Sequence, residues 1–323
     1  MIKQGGKFME ITEKMNNIIA FDLGGTSLKY GFGCIKDGLQ YFNKKSHNEM
    51  SLNGLKNLFS EVIEELQKSK GEYTALAIAS PGVINSGNGV VIGSTPNLPY
   101  LRDVSLKEIL TEISGLPVYV ENDANLMTLA ESQECDTKSV LGITIGTGIG
   151  TGFVIEKEIF NGENFRSMEA GHMIVVPNGR KCLCGKKGCF EAYCSSESMK
   201  RIISEKFPDT KGHNIFKLLN NDDKKIKKEI LKCLDIFAVA VSNMIMILNP
   251  GTVVIGGGVI EIEAFDFDYL SKKVFSLLTS EFKGCIMKKA LYGNRAGVMG
   301  AMVYGEIKGH LQSLKNSRNG NRD

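Results

Sequence analysis

The sequence predicts a two-domain α/β protein, and three observations carry that reading. At 323 residues the chain has room for about two domains of ordinary size. Short apolar strands alternate along it with longer segments of helical period. A strand, a glycine turn and a returning strand occur near the start and again in the second half, which suggests an internal duplication.

The elements follow in order. Ile18 to Phe21 is apolar and ends at Asp22; Leu23-Gly24-Gly25-Thr26 turns the chain, and Leu28 to Ile35 runs back. Gly38 to Lys44 adds a third strand and completes an antiparallel meander. Leu52, Leu55, Leu58, Phe59, Val62, Ile63 and Leu66 recur at helical spacing, so a helix is expected over Ser51 to Lys70 with Ser51 as its N-cap. Leu76 to Ala79 is a strand stopped by Ser80-Pro81-Gly82. Val118 to Val120 leads through Glu121-Asn122 into a helix over Asp123 to Ser132. The second half opens with a strand at Val140 to Ile145, a turn at Gly146 to Gly150 and a return over Thr151 to Ile155. Three helices follow a cysteine cluster, the longest from Asp222 to Leu248, and the strand Val253 to Ile255 runs into Gly256-Gly257-Gly258. A last helix, Ala296 to His310, spaces Gly297, Gly300, Ala301 and Gly305 so that its backbone can approach a neighbour closely. The polar residues after Leu314 are expected to fray.

Composition narrows the function. Hydrophobic residues are 42% and charged residues 23%, a balance that excludes wholesale disorder. A net charge of +3 gives no global field for nucleic acid or an anionic membrane, and neither partner is expected. Lys224, Lys225, Lys227 and Lys228 lie among Asp222, Asp223 and Glu229 and read as a solvated helix face. No uninterrupted apolar run reaches the 18 or so residues of a membrane helix. The segment before Ile18 is polar and unlike a secretory signal, so a cytoplasmic protein is expected. There, eight cysteines do not suggest a disulfide framework; Cys34, Cys135, Cys194, Cys233 and Cys285 read as free thiols.

The glycine turns and the cysteine cluster carry the chemistry. Backbone N–H groups converging at a glycine turn bind phosphate, and three turns qualify: Gly24-Gly25-Thr26, Gly146 to Gly150 and Gly256 to Gly258. Neither GxxxxGK[ST] nor GxGxxG is present, which excludes the P-loop and the dinucleotide fingerprint. One such turn alone is an ordinary hairpin. Asp22, able to hold hydrated magnesium, and the hydroxyls of Thr26 and Thr147 tip the reading toward phosphate. His172, Cys182, Cys184 and Cys189 offer one imidazole and three thiolates, the set for a closed, structural tetrahedral zinc site. Glu169 and Glu191 bracket that cluster, which would fix two carboxylates for gripping a polyol.

Together these segments resemble the ROK family of sugar kinases and related repressors. Asp22 to Thr26 is similar to its first phosphate loop, Ile145 to Gly150 to its second, and Glu121-Asn122-Asp123-Ala124-Asn125 to its catalytic segment. Glu169-Ala170-Gly171-His172 resembles ExGH, Cys182 to Glu191 the zinc signature CxCGxxGCxE, and Gly256 to Gly258 the adenosine loop. The resemblance implies an actin-like ATPase fold of the ribonuclease H or hexokinase type, with a cleft between its domains. Their expected extents are 17–125 with 296–312, and 126–295, between tails at 1–16 and 313–323. It implies transfer of phosphate from ATP to a hexose, glucose before N-acetylmannosamine or N-acetylglucosamine, at the 6-hydroxyl. Asp123 would be the general base, though it also stands where a helix N-cap belongs. Asn97, Asn122, Glu169, His172 and Glu191 would bind sugar with Asp123. Asp22, Gly24, Gly25, Thr26, Lys29, Gly146, Thr147, Gly148, Gly256, Gly257 and Gly258 would bind nucleotide, with magnesium held by Asp22 through water. A homodimer is also implied. After Pro99 the family commonly continues Gly-Trp, whereas this chain has Tyr100-Leu101, which could provide an apolar niche for an acetyl group. A DNA-binding repressor is disfavoured, because some 16 polar residues before Ile18 are too few for a helix-turn-helix domain.

Overall fold

Two five-stranded sheets of the same topology organise the chain. The computed structural model describes residues 3–4, 7–8, 17–47, 51–68, 71–93, 98–282 and 284–319. Within the segment expected as an N-terminal tail, β1 (Lys3–Gln4) pairs antiparallel with β2 (Lys7–Phe8).

The first sheet is centred on β3 (Asn17–Leu23), whose two faces are both apolar. Ile19, Phe21 and Leu23 alternate toward one core and Ile18 and Ala20 toward another, as a period of two requires. β4 (Ser27–Cys34) returns antiparallel to it and β5 (Gly38–Ser46) completes the expected meander. Helix α1 (Leu52–Lys68) buries Leu55, Phe59, Val62, Ile63 and Leu66, and Gly54 N donates to the capping Ser51 Oγ at 3.1 Å. The last two residues of the expected helix lie outside the described ones. β6 (Tyr73–Ser80) joins β3 in parallel. A small sheet of β7 (Val83–Asn85), β8 (Val90–Gly93) and β9 (Val104–Ser105) follows, then α2 (Leu106–Ser114), capped by Ser105 and closed by Gly115 at φ 69°. Strands of two to four residues carry too little alternation for sequence to reveal them. β10 (Val118–Asn122) lies parallel to β6 and feeds α3 (Asp123–Gln133).

The second sheet repeats the plan. β11 (Ser139–Ile145) is central, β12 (Ile149–Ile155) returns antiparallel, and β13 (Glu158–Ile159) adds an edge. Helices α4 (Glu191–Cys194), α5 (Ser196–Lys206), α6 (Ile215–Leu219) and α7 (Lys224–Leu248) cover one face. β14 (Thr252–Gly256) then pairs parallel with β11; α8 (Phe267–Ser276) leads to β15 (Ile286–Lys289), parallel to β14. By length and composition α7 would span a bilayer, but Ile226, Ile230, Leu234, Phe237, Val241 and Ile245 pack into the core here.

α9 (Ala296–Asn319) and α3 lie between the sheets. A Cβ on Gly300 would overlap the carbonyl of Leu126 and one on Gly305 would lie 2.6 Å from Ile18, so the small-residue stripe does serve close approach. α9 continues past Leu314, where fraying was expected, because no glycine or proline interrupts it between Gly309 and Gly320.

Candidate active site

The C-terminal ends of β3, β6, β10, β11 and β14 converge on a cleft of about 810 Å³. Open α/β sheets place ligands at this end of their strands. Asp22, Gly24, Gly25 and Lys29 line it from the first sheet, and Gly146, Thr147 and Gly148 from the second. Lys29 Nζ donates to Asp22 Oδ2 at 3.0 Å, an ion pair with only 24% and 13% of the side chains exposed. Gly297, in the first turn of α9, has no room for a Cβ because the Asp22 carboxyl occupies that space.

Thr26 and Gly256 lie apart from the lining residues. The first turn closes by Gly24 N donating to Ser27 O at 2.8 Å, with Thr26 exposed at the tip. Gly256 is still a strand residue, in register with Thr144, and Ala290 occupies the space beside it. Gly257 and Gly258, the next two, do face the cleft. Asn97 lies outside the described residues.

The segment expected to be catalytic, Glu121 to Asn125, differs from expectation in one local detail. Asn122, and not Asp123, caps α3: its Oδ1 accepts from Ala124 N at 2.9 Å and Asn125 N at 3.1 Å. Its Nδ2 donates to Gly82 O at 2.9 Å, so most of the Asn122 amide is committed to backbone. Asp123 is the first helical residue, half-buried in the cleft wall. Burial first, and the nearby Asp22 carboxylate second, push its carboxyl up to about 7.

Glu169, His172 and Glu191 also line the cleft. Glu191 Oε2 accepts from Ile149 N at 2.9 Å and packs where a Cβ on Gly148 would sit. It therefore ties the cysteine loop to the second glycine turn, a link reinforced by Ser196 N donating to Gly146 O at 2.9 Å. Burial raises the Glu169 carboxyl above the ordinary range, and the neighbouring His172 opposes that rise.

The ligand atoms of His172, Cys182, Cys184 and Cys189 all lie within 4.8 Å of one another. Cys184 Sγ and Cys189 Sγ are 3.6 Å apart, and His172 Nδ1 is 3.7 Å from Cys182 Sγ. A tetrahedral zinc with Zn–S of about 2.3 Å and Zn–N of about 2.0–2.1 Å sets such separations at about 3.6–3.8 Å. Donor set and spacing both fit that ion. With Nδ1 toward the thiols, Nε2 is left for other partners.

Sequence reading passed over a buried network beside Asp123. Glu121, 1% exposed, accepts at Oε1 from Asn122 N at 2.9 Å and Asn125 Nδ2 at 3.1 Å, and at Oε2 from Asn161 Nδ2 at 3.1 Å. Asn161 also reaches Ser86 Oγ at 3.2 Å, so the network joins the β7–β8 turn to the segment after β13. Burial raises the Glu121 carboxyl above its ordinary value. The Asn161-Gly162 turn dipeptide was the available signal. The apolar niche was expected in the wrong place as well. Leu101 is core and Tyr100 packs against that core, whereas Phe165, Met168 and Leu183 line the cleft. Phe165 and Met168 hold φ of 58° and 60°, a strained conformation for such side chains.

Residues 18–305 match the model of the ROK family. The chain belongs to that family. Among ROK relatives, the glucokinase of Thermotoga maritima is 30% identical over 306 residues, covering 88% of this chain and 95% of the relative. An N-acetyl-D-glucosamine kinase of Vibrio atlanticus is 27% identical over 304 residues, covering 87% and 97%. The ROK hexokinase from Thermus thermophilus superposes with a TM-score of 0.80 at 26% identity, covering 90% of this chain and 98% of that one. The fold is the two-domain, actin-like ATPase fold, with the cleft between the domains.

Proposed function

We propose that this ROK protein is an ATP-dependent hexose kinase that phosphorylates the 6-hydroxyl of glucose. The observation that carries the reading is the position of Asp123. It stands between glycine turns suited to phosphate and a group of polar side chains suited to hydroxyls, with a carboxyl raised to about 7. An ordinary aspartate is too weak a base near neutral pH; this one is matched to the task. Phosphoryl transfer passes through a loose transition state, so Asp123 accepts the hydroxyl proton late and orients the oxygen first. Lys29 and the N–H groups of Gly25, Thr147 and Gly148 take up phosphate charge, while Gly24 and Gly146 close their turns with theirs. Magnesium held through water by Asp22 supplies further neutralisation of that charge when bound.

On the sugar side, Glu169, Glu191 Oε1 and His172 Nε2 accept from or donate to ring hydroxyls; Asn97 and Asn122 complete the expected set. His172, Cys182, Cys184 and Cys189 would hold a structural zinc, which would fix His172 and, through the loop, Glu191 in place. The same reading takes 17–125 with 296–312 as one domain and 126–295 as the other, in a cytoplasmic homodimer. The names of the relatives support a sugar kinase and include both glucose and an acetylated sugar.

Glucose is preferred because the wall groups still lacking a partner, the Glu169 carboxylate among them, require hydroxyls, and a buried carboxylate left without one costs about 1–3 kcal/mol. One observation favours the alternative, N-acetylmannosamine or N-acetylglucosamine: the apolar Phe165, Met168 and Leu183 could receive an acetyl methyl. Comparing kcat/KM for the three sugars with ATP and magnesium tests the assignment. A tenfold preference for either acetylated sugar, about 1.4 kcal/mol, overturns glucose and leaves the kinase mechanism standing.

A further inference from the structure

We propose that His47 is a positioning residue for the phosphoryl donor: it holds the Gly24–Gly25 peptide so that the N–H of Gly25 faces the phosphates. This inference rests on the kinase reading above. His47 follows β5 directly. Its backbone N donates to Thr26 O at 3.0 Å, and its ring Nε2 lies 2.9 Å from Gly24 O. A carbonyl can only accept, so Nε2 carries the proton and donates it. Gly24 and Gly25 line the cleft, whereas His47 stands behind them, outside its wall. The peptide is trans, so its C=O and N–H point in opposite directions. With the oxygen turned back to His47, the N–H of Gly25 is turned toward the cleft, and it has no acceptor among the described residues.

The turn needs such an anchor because of its glycines. A peptide plane flips by rotation about ψ of the residue before it and φ of the residue after it, and Cβ atoms ordinarily oppose that rotation. Between two glycines there is none to do so. The flipped peptide would aim the Gly24 oxygen at the phosphates, replacing a donor by a repelling dipole. The second sheet restrains the equivalent oxygen. Leu23 ends β3 and Ile145 ends β11, so Gly24 and Gly146 open matching turns. Gly24 N closes the first turn on Ser27 O at 2.8 Å, and Gly146 N closes the second on Gly148 O at 3.0 Å. Gly146 O then accepts from Ser196 N, in the first turn of α5, at 2.9 Å. Both first-glycine oxygens are thus held from outside their turns, one by helix backbone and the other by an imidazole. Only the second kind of anchor can be removed by a substitution.

Glutamine keeps an N–H donor near the place of Nε2, while the shorter asparagine does not reach Gly24 O. Calorimetry on wild type, His47→Gln, His47→Asn and His47→Ala tests the proposal with three probes: a non-hydrolysable ATP analogue with magnesium, adenosine, and the sugar of highest kcat/KM. His47→Ala and His47→Asn should bind the analogue at least about tenfold more weakly, the loss expected for one hydrogen bond to a charged group, with adenosine and sugar affinities unchanged. His47→Gln should stay within about threefold of wild type for all three. Wild-type affinity for the analogue in His47→Ala overturns the positioning role. So does an equal weakening of adenosine or sugar, which marks a general loss of structure, and so does a glutamine variant as impaired as the asparagine one. Wild-type protein that neither binds the analogue nor transfers phosphate from ATP to any sugar brings down the kinase reading and this inference together.

Discussion

Replacing Asp123 with asparagine keeps the shape of the side chain and removes its charge, and the structure assigns the two consequences opposite signs. Activity should fall by at least about 10²-fold, the usual cost of a missing general base. On the proposed mechanism the base form is the active one, so kcat should rise with pH through about 7 and be about tenfold lower at pH 6 than on the plateau. Stability should move the other way. The folded carboxyl binds its proton more tightly than the unfolded one, so stability is lost as pH climbs from about 3.8 to about 7. A shift of that size corresponds to at most about 4 kcal/mol, and asparagine escapes it entirely. Asp123→Asn should therefore melt with the wild type near pH 4 and above it at pH 8, by about 2–4 °C for each kcal/mol recovered. A coupled spectrophotometric assay and melting curves from pH 4 to 8 read both effects. Near-normal turnover in the folded variant, or melting temperatures that stay parallel across the range, would refute the placement of Asp123 as a half-buried base.

Purified protein should contain one zinc per chain that resists mild chelation, and Cys184→Ser should lower sugar affinity and melting temperature together; metal analysis and sugar titration check this. Gly297→Ala should cut kcat without large loss of fold, because the new methyl displaces the Asp22 carboxyl; unchanged kinetics would argue against that contact. Glu121→Ala leaves the amides of Asn125 and Asn161 and the N–H of Asn122 without their acceptor, and should cost about 1–3 kcal/mol or more in denaturant unfolding.

The sequence made the strands and the glycine turns legible because their signals are local. Ile18 to Asp22 and Val140 to Ile145 carry their own period, and a turn closed by glycine announces itself within four residues. The cysteine cluster was legible for the same reason: three of its ligands fall within eight positions. What escaped was decided by contacts distant in the chain. That Asn122 caps α3, and Asp123 does not, depends on the exact turn between β10 and α3. The Glu121–Asn125–Asn161–Ser86 network joins residues up to 75 positions apart, and no spacing rule marks it. Phe165 and Met168 face the cleft only because their loop adopts positive φ, which neither residue type suggests.

The position of α3 and α9 between the two sheets has a mechanical consequence. Any swing of one sheet relative to the other turns about these helices, since they carry the packing that joins the layers. Points far from a pivot travel and points on it do not. Asp123 opens α3, and Gly297 of α9 presses on Asp22, so both carboxylates sit close to the axis. Glu169 and the cysteine loop, out beyond β12, lie on the long arm. Closing the cleft around a ligand would thus sweep the rim that carries Glu169 and His172 inward like the tip of a lever, and leave the Asp123 and Asp22 carboxylates almost where they stand.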